Sequence, residues 1–261
     1  PSALLADITG SGLADLTLIG PKSVRFYAGL GNGWMKAQNV LQAAGIMLPV
    51  PGTDARVMVA FSDMTGSGQQ HLVEVRATGV RYWPNLGHGR FGLPVSLPGF
   101  SQPAATFNPE QLYLADLDGS GTTDLIYALS DRLEVYINQS GNCFAEQFSV
   151  NLPDGVRYDH TCSLQLADIK GLGLACLVLT VLHPVPGSWV CHLSGDKPWL
   201  LSGMNNGMGA SHALSYRSSA QFWLDEKAEA AAAGKSAPVS WLPFALHTLS
   251  RTEVTDEITG N

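Results

Sequence analysis

LADLDGSGTTDLIYA, residues 114–128, places an acidic or hydroxyl side chain at every second position: Asp116, Asp118, Ser120, Thr122 and Asp124. A metal loop, a cluster of catalytic carboxylates and a tight turn between two strands all fit such a pattern. The stretch has relatives in the same chain, and these decide the fold. They are LLADITGSGLADLTLI from Leu4, VAFSDMTGSGQQHLVEV from Val59 and QLADIKGLGLACLVLT from Gln165. The leading aspartates, Asp7, Asp63, Asp116 and Asp168, are spaced 56, 53 and 52 residues apart. That period suits one four-stranded propeller blade per repeat.

The likeness continues downstream, where VRFYAGLGNG (24–33) aligns without a gap on VRYWPNLGHG (80–89). Twenty residues after the leading aspartate stand Tyr27, Trp83 and Tyr136, and twenty-eight after it Met35, Phe91 and Phe144. Large side chains at fixed phase mark a packing position repeated from unit to unit. LIYAL (125–129) and RLEVYIN (132–138) read as strands on either side of a turn. The fourth copy is eroded: Lys170 and Cys176 replace acidic or polar positions, and HPVPG (183–187) lengthens a connection.

Composition agrees with an all-β fold: 28 glycines and 15 prolines are set among β-branched and aromatic residues, with 45% hydrophobic and 14% charged content. The net charge of -7 and the lack of a basic stripe argue against a nucleic-acid partner. The longest apolar run, around Leu177 to Leu182, is far short of the roughly 20 residues that span a bilayer, so membrane insertion is not expected. Four cysteines, Cys143, Cys162, Cys176 and Cys191, lack CxxC spacing and read as buried free thiols. The chain opens in mid-pattern, so it reads as an excised segment with no signal peptide in view.

The propeller repeats are expected over 1–195, and a different unit over 196–261. In the latter, HALSYR alternates like a strand, and SSAQFWLDEKAEAAAAGKSAP reads as a helix over about 219–233. Ser218 would cap it with Gln221 as the return arm of a capping box, and Gly234 and Pro238 would end it. Phe222, Trp223 and Leu224 read as a buried aromatic anchor, and WLPFALHTL (241–249) as a further strand.

Among candidate sites, calcium comes first. Asp116, Asp118, Ser120, Thr122 through its carbonyl and Asp124 have the odd-position oxygen spacing of calcium loops, with Gly119 and Gly121 allowing the wrap. The bidentate glutamate of an EF-hand is missing. The other copies are poorer in carboxylates: Asp7, Thr9, Ser11 and Asp15; then Asp63, Thr65, Ser67 and His71; then Asp168 alone. The same side chains can also hold a turn without metal. GHGRFG (87–92) matches GxGxxG, but the prolines after it forbid the helix that a dinucleotide site needs. No GxSxG elbow occurs, and His183, Cys191 and His192 lack metal-ligand spacing. No catalytic constellation emerges, and an enzyme is not expected.

Long stretches in fixed order carry a family resemblance. VRYWPNLGHGRFG, LPGFSQPAATFNPEQLYLADLDGSGTTDLIYA, LPDGVRYDHTCSLQLADIKGLG, MNNGMGASHALSYRSSAQFWLDEKAEA and LPFALHTLSRTEVTDEITGN resemble the B component of insecticidal toxin complexes. More distantly, the turns are similar to FG-GAP and VCBS propeller repeats, and the middle region to SpvB-type virulence proteins. The resemblance implies a non-enzymatic role. A B component joins a C component in a hollow β-shell around a toxic polypeptide, and its propeller docks on a pore-forming A component and gates the exit. This chain would supply part of that propeller and the first elements leading into the shell, in a complex made in the bacterial cytoplasm and acting outside the cell. It implies no required cofactor, with calcium possible at the third loop. The rival reading is a calcium-dependent propeller for adhesion or glycan binding.

Overall fold

A computed structural model describes residues 3–172, 174–183, 185–193, 197–242, 245–256 and 258. The described chain is all-β apart from one α-helix and one short 3-10 turn, and all its strand pairs are antiparallel. It divides into two compact units. The first holds 1–116 and 121–160, and the second 117–120 and 161–261.

Three four-stranded sheets make up the first unit. They are β1 (Ala3–Ala6), β2 (Asp15–Ile19), β3 (Ser23–Tyr27) and β4 (Gln38–Leu41); β5 (Met58–Ser62), β6 (His71–Arg76), β7 (Gly79–Trp83) and β8 (Val95–Leu97); and β9 (Leu112–Ala115), β10 (Asp124–Ala128), β11 (Arg132–Tyr136) and β12 (Phe148–Asn151). In the second unit β13 (Cys162–Ala167), β14 (Cys176–Val181) and β15 (Gly187–Cys191) form the fourth sheet. In each sheet the strands pair in chain order. The register repeats as well. The residue before each leading aspartate faces the residue eight positions after that aspartate: Ala6 with Asp15, Ser62 with His71, Ala115 with Asp124, Ala167 with Cys176. A one-residue slip would turn every side chain to the other face, so four matching registers make these copies of one structural unit.

Packing follows the aromatic phase seen in the sequence. Ala6, Ile8, Ile19, Val24 and Phe26 of the first sheet share a core with Leu72, Trp83 and Phe91 of the second. Val73, Val75, Val80 and Tyr82 of the second share another with Leu125, Tyr127, Tyr136 and Phe144 of the third. Strand β6 is therefore buried on both faces, which explains why HLVEV has little alternation, whereas β2 alternates buried and half-buried. Each fully buried large apolar side chain contributes roughly 1.5–3 kcal/mol. The first sheet's counterparts of Leu72, Trp83 and Phe91 are Leu16, Tyr27 and Met35; the first two are half-buried and Met35 is exposed.

The rest of the second unit is a sheet of β16 (Gly203–Asn205), β17 (Ala210–Ser218) and β18 (His247–Asp256), with α1 (Ser219–Ala232) between the last two. The Ser218 hydroxyl accepts the Ala220 N–H, as an N-cap should, and Gly234 at φ 67 ends the helix. The capping box is not closed. Gln221 instead donates from Nε2 to the Lys170 carbonyl at 2.9 Å, a partner 51 residues away that local sequence does not reveal. The aromatic anchor is also corrected: α1 buries no residue, Phe222 and Leu224 are exposed, and Trp223 donates from Nε1 to the Pro238 carbonyl. The final strand begins at His247 rather than Trp241, and Pro243 and Phe244 lie outside the described residues. Of the cysteines only Cys176 is buried; Cys143, Cys162 and Cys191 are partly accessible, and all four are free. HPVPG joins β14 to β15 as a hairpin connection, with Pro184 outside the described residues. No described helix is long and apolar enough to cross a membrane.

Candidate functional site

The acidic loops lie between the first and second strands of their sheets, where the chain must reverse within a few residues. Asp7 solves that problem by gathering amides. Its Oδ1 accepts N–H groups from Gly10 (2.7 Å) and Ser11 (3.0 Å), and its Oδ2 one from Gly12 (2.7 Å). Slight burial works to raise the Asp7 carboxyl, but the Gly12, Ser11 and Gly10 amides and the Thr9 hydroxyl outweigh it and hold it below its ordinary 3.8. Asp63 repeats the arrangement, accepting from Thr65, Gly66 and Ser67 at Oδ1 and from Gly68 at Oδ2. Gly10 and Gly12 sit at φ 79 and 81, a region that side chains with a Cβ avoid.

The residue eight positions on is a second pin. Asp15 is fully buried; its Oδ2 accepts from Ile8 N, Thr9 N and Thr9 Oγ1, and its Oδ1 from Gly29 N. His71 takes the same place with a different chemistry. Its Nδ1 accepts the Asn85 N–H at 3.1 Å, so that nitrogen is unprotonated, and Nε2 lies 3.0 Å from Thr65 Oγ1. Neighbouring loops also touch: Asp7 N donates to Gln70 Oε1, and Thr123 N to the Asp63 carbonyl.

The third loop differs in charge. Carboxylate oxygens of Asp116, Asp118 and Asp124 lie within 4.8 Å of one another, so the structure does bring these three candidates together. Asp116 Oδ2 accepts from Gly121 N, Asp118 Oδ1 from Ser120 N and Asp124 Oδ1 from Asn138 N (2.8 Å). Ser120 is exposed, and the Thr122 hydroxyl donates to the Asn138 carbonyl. The donor set suits a hard cation such as calcium, since it is all oxygen and rich in carboxylate. The same carboxylates hold the turn through backbone amides. In the fourth copy, Asp168 Oδ1 accepts from Leu172 N, four residues on, at 2.9 Å.

GHGRFG is a turn. Arg90 N donates to the Gly87 carbonyl, Asn85 and Phe91 bridge across it, and strand β8 follows rather than a helix. His192 lies with Nδ1 2.8 Å from Cys176 Sγ, placing a thiol–imidazole contact where the other copies have their second pin. Burial, and next the nearby Cys176, push the Cys191 thiol up.

Two buried glutamates carry no signal in the sequence. The Glu74 side chain is 4% exposed and holds Arg76 and Arg81, with N–O distances of 2.9 and 2.5 Å. Burial pushes its carboxyl up, but hydrogen bonds and charge from both arginines prevail and keep it below the ordinary value. Glu134 accepts from Gln102 (2.6 Å), Tyr136 (3.2 Å) and Arg132 (3.2 Å). Burial, followed by the Glu134 charge, pushes the Tyr136 hydroxyl up to about 12. Cross-strand register brings Arg81 opposite Glu74, and only a known pairing would have exposed the contact.

Fold and loops together define an all-β repeat protein whose acidic side chains serve first as turn pins. Residues 138–261 match the family described as insecticide toxin TcdB middle/N-terminal region. Over 99% of its length the chain is 60% identical to a chain in the Photorhabdus luminescens Tc holotoxin pore, with a TM-score of 0.93. Over its full length it is 59% identical to a chain in TcdB2–TccC3 without the hypervariable C-terminal region, with a TM-score of 0.77. The chain belongs to the TcdB-type B components of insecticidal toxin complexes. It spans about 12% of the length of those structures' chains. A lectin of Agrocybe aegerita, 21% identical over 74% of this chain with a TM-score of 0.54, shares the fold alone. No curated protein matches the sequence.

Proposed function

We propose that this chain is the part of a toxin-complex B component that helps dock the toxin-enclosing shell, formed with a C component, onto a pore-forming A component. It gates toxin release and carries out no catalysis. The repeated sheets are blades of an FG-GAP/VCBS-like β-propeller, and the sheet of β16, β17 and β18 with α1 leads into the shell wall. The half-open face at Leu16, Tyr27 and Met35 supports further blades, because the equivalent side chains of the next repeat are buried by a neighbouring sheet. The assembly acts outside the bacterium that makes it.

One observation carries the gating reading. Identity to the two relatives is nearly the same, 60% and 59%, while the TM-score drops from 0.93 for the holotoxin pore to 0.77 for the B–C pair. Sequence divergence does not account for that gap, which supports a difference in conformation of the homologous segment between the two assemblies. A change of conformation on joining the pore is what a gate requires. The test is to mix the intact B–C pair with its A component and follow size-exclusion chromatography. Co-elution is expected; separate elution, where an established B–C pair binds, overturns the docking role.

A second reading, a calcium-dependent module for adhesion or glycan binding, is favoured by the three-carboxylate loop at Asp116, Asp118 and Asp124. It ranks lower because the leading carboxylates of the first two loops are already engaged by backbone amides.

A further inference from the structure

A cavity of about 630 Å³ in the second unit is lined by Lys170, Lys197, Arg217 and His247, which come from four separate places in the chain. Lys170 is in the connection from β13 to β14, Lys197 follows β15, Arg217 is near the end of β17 and His247 begins β18. Arg217 is held in place: Nη1 is 2.5 Å from Asp225 Oδ2, and its guanidinium sits over the Phe222 ring. Among the described residues, no carboxylate pairs with the ammonium of Lys170 or Lys197. Asp168, the acidic group felt at His247, accepts the Leu172 N–H of its own loop.

His247 adds a further observation. Its Nδ1 is shut off from solvent and has no hydrogen-bond partner. Burial, and next the charge of Lys197, push this imidazole below its ordinary value against the pull of Asp168. Asp168 is one negative charge against the two ammonium groups of Lys170 and Lys197, so the surroundings stay positive and the like charges repel one another. An anion between the two lysines would relieve that repulsion. Hydroxyls of Ser202 and Tyr216 add neutral donors, while Leu172, Leu200 and Leu214 give the cavity an apolar side. Its volume falls within the range of small-molecule sites, roughly 300–1,000 Å³.

We propose that this cavity binds a small organic oxyanion. Its carboxylate or phosphate group is held by Lys170 and Lys197, and its carbon skeleton lies against the leucines. The site does not depend on the gating role. Isothermal titration of the intact B component at constant ionic strength, with inorganic phosphate and separately with butyrate, tests it. Saturable heat is expected from at least one of them, and which one responds identifies the group the site prefers. Lys170→Met and Lys197→Met should each weaken binding at least about tenfold, or about 1.4 kcal/mol. Lys235→Met, at an exposed position beyond α1, should leave it unchanged. Circular dichroism confirms that each variant is folded, and the wild-type titration stands without them. Absence of saturable heat with both anions up to about 20 mM overturns the proposal, as does binding that neither cavity variant weakens.

Discussion

Asp124, at the start of β10, accepts the backbone N–H of Asn138 just past the end of β11 at 2.8 Å. Asp15 does the same for Gly29 at 2.9 Å, and His71 for Asn85 at 3.1 Å. The partners are 14 residues apart each time. One side chain thus ties the acidic loop to the turn after the third strand, where a free amide would otherwise lack a partner.

Asp15 accepts four hydrogen bonds while fully buried, so its removal leaves three amides and a hydroxyl to be satisfied again. Asp15→Ala is expected to destabilise the first unit by roughly 3 kcal/mol or more, read as a lower first melting transition of the intact protein. An unchanged transition would mean that the pin is dispensable.

His71 gives a pH dependence with a definite sign. Burial lowers its pKa below 6.5 and outweighs the opposing charge of Asp63. The folded state therefore favours the neutral ring, whose Nδ1 must be free to accept from Asn85. Its stabilisation is complete above pH 6.5 and is lost as pH falls from there through the lower folded value, because the unfolded chain takes up the proton first. His71→Asp places there the residue found in the first and third repeats, and should remove this part of the acid-side decline in urea midpoints. An unaltered slope below pH 6.5 would exclude His71 as its source.

Repetition made much of the fold legible. The aspartate spacing and the aromatic phase at Tyr27, Trp83 and Tyr136 pointed to repeated four-stranded units, which the first three sheets are, because alternation and turn chemistry are local. The third-loop trio was also legible, since its members are eight residues apart at most. Contacts set by tertiary placement were not: Gln102 with Glu134, Gln221 with Lys170, and the gathering of Lys170, Lys197, Arg217 and His247 around one cavity. The helix misled because Phe222 and Leu224 look like core residues, yet α1 buries none of its side chains.

Gly99 tests the joint between the second and third sheets. At φ 102, an added Cβ would lie 2.5 Å from the Phe144 carbonyl oxygen, and the Phe144 N–H already donates to Pro98 O. Gly99→Ala should cost about 2–3 kcal/mol through strain and a backbone clash that no side-chain rotation relieves. Ser96→Ala, an exposed change on neighbouring β8, should lie within about 0.5 kcal/mol of wild type in the same denaturation series.

Calcium separates the two functional readings. On the toxin-complex reading, association with the A component proceeds equally in millimolar calcium and in chelator. Association that requires calcium, and that is lost in Asp118→Asn, would favour the calcium-dependent module. Melting with and without the ion tests the loop itself: a rise in calcium that Asp118→Asn removes would locate the ion, and identical melts would remove the site.

The proposed gate requires this segment to change conformation when the B component joins the pore. Spin labels at exposed Thr53 and Lys235, one in each compact unit, would report it by pulsed dipolar distance measurement in the intact B–C pair. Non-natural amino acids should carry them, because Cys143, Cys162 and Cys191 are partly accessible. A shifted distance distribution is expected once a saturating A component is added. An unchanged distribution in a sample shown to be fully complexed would contradict it.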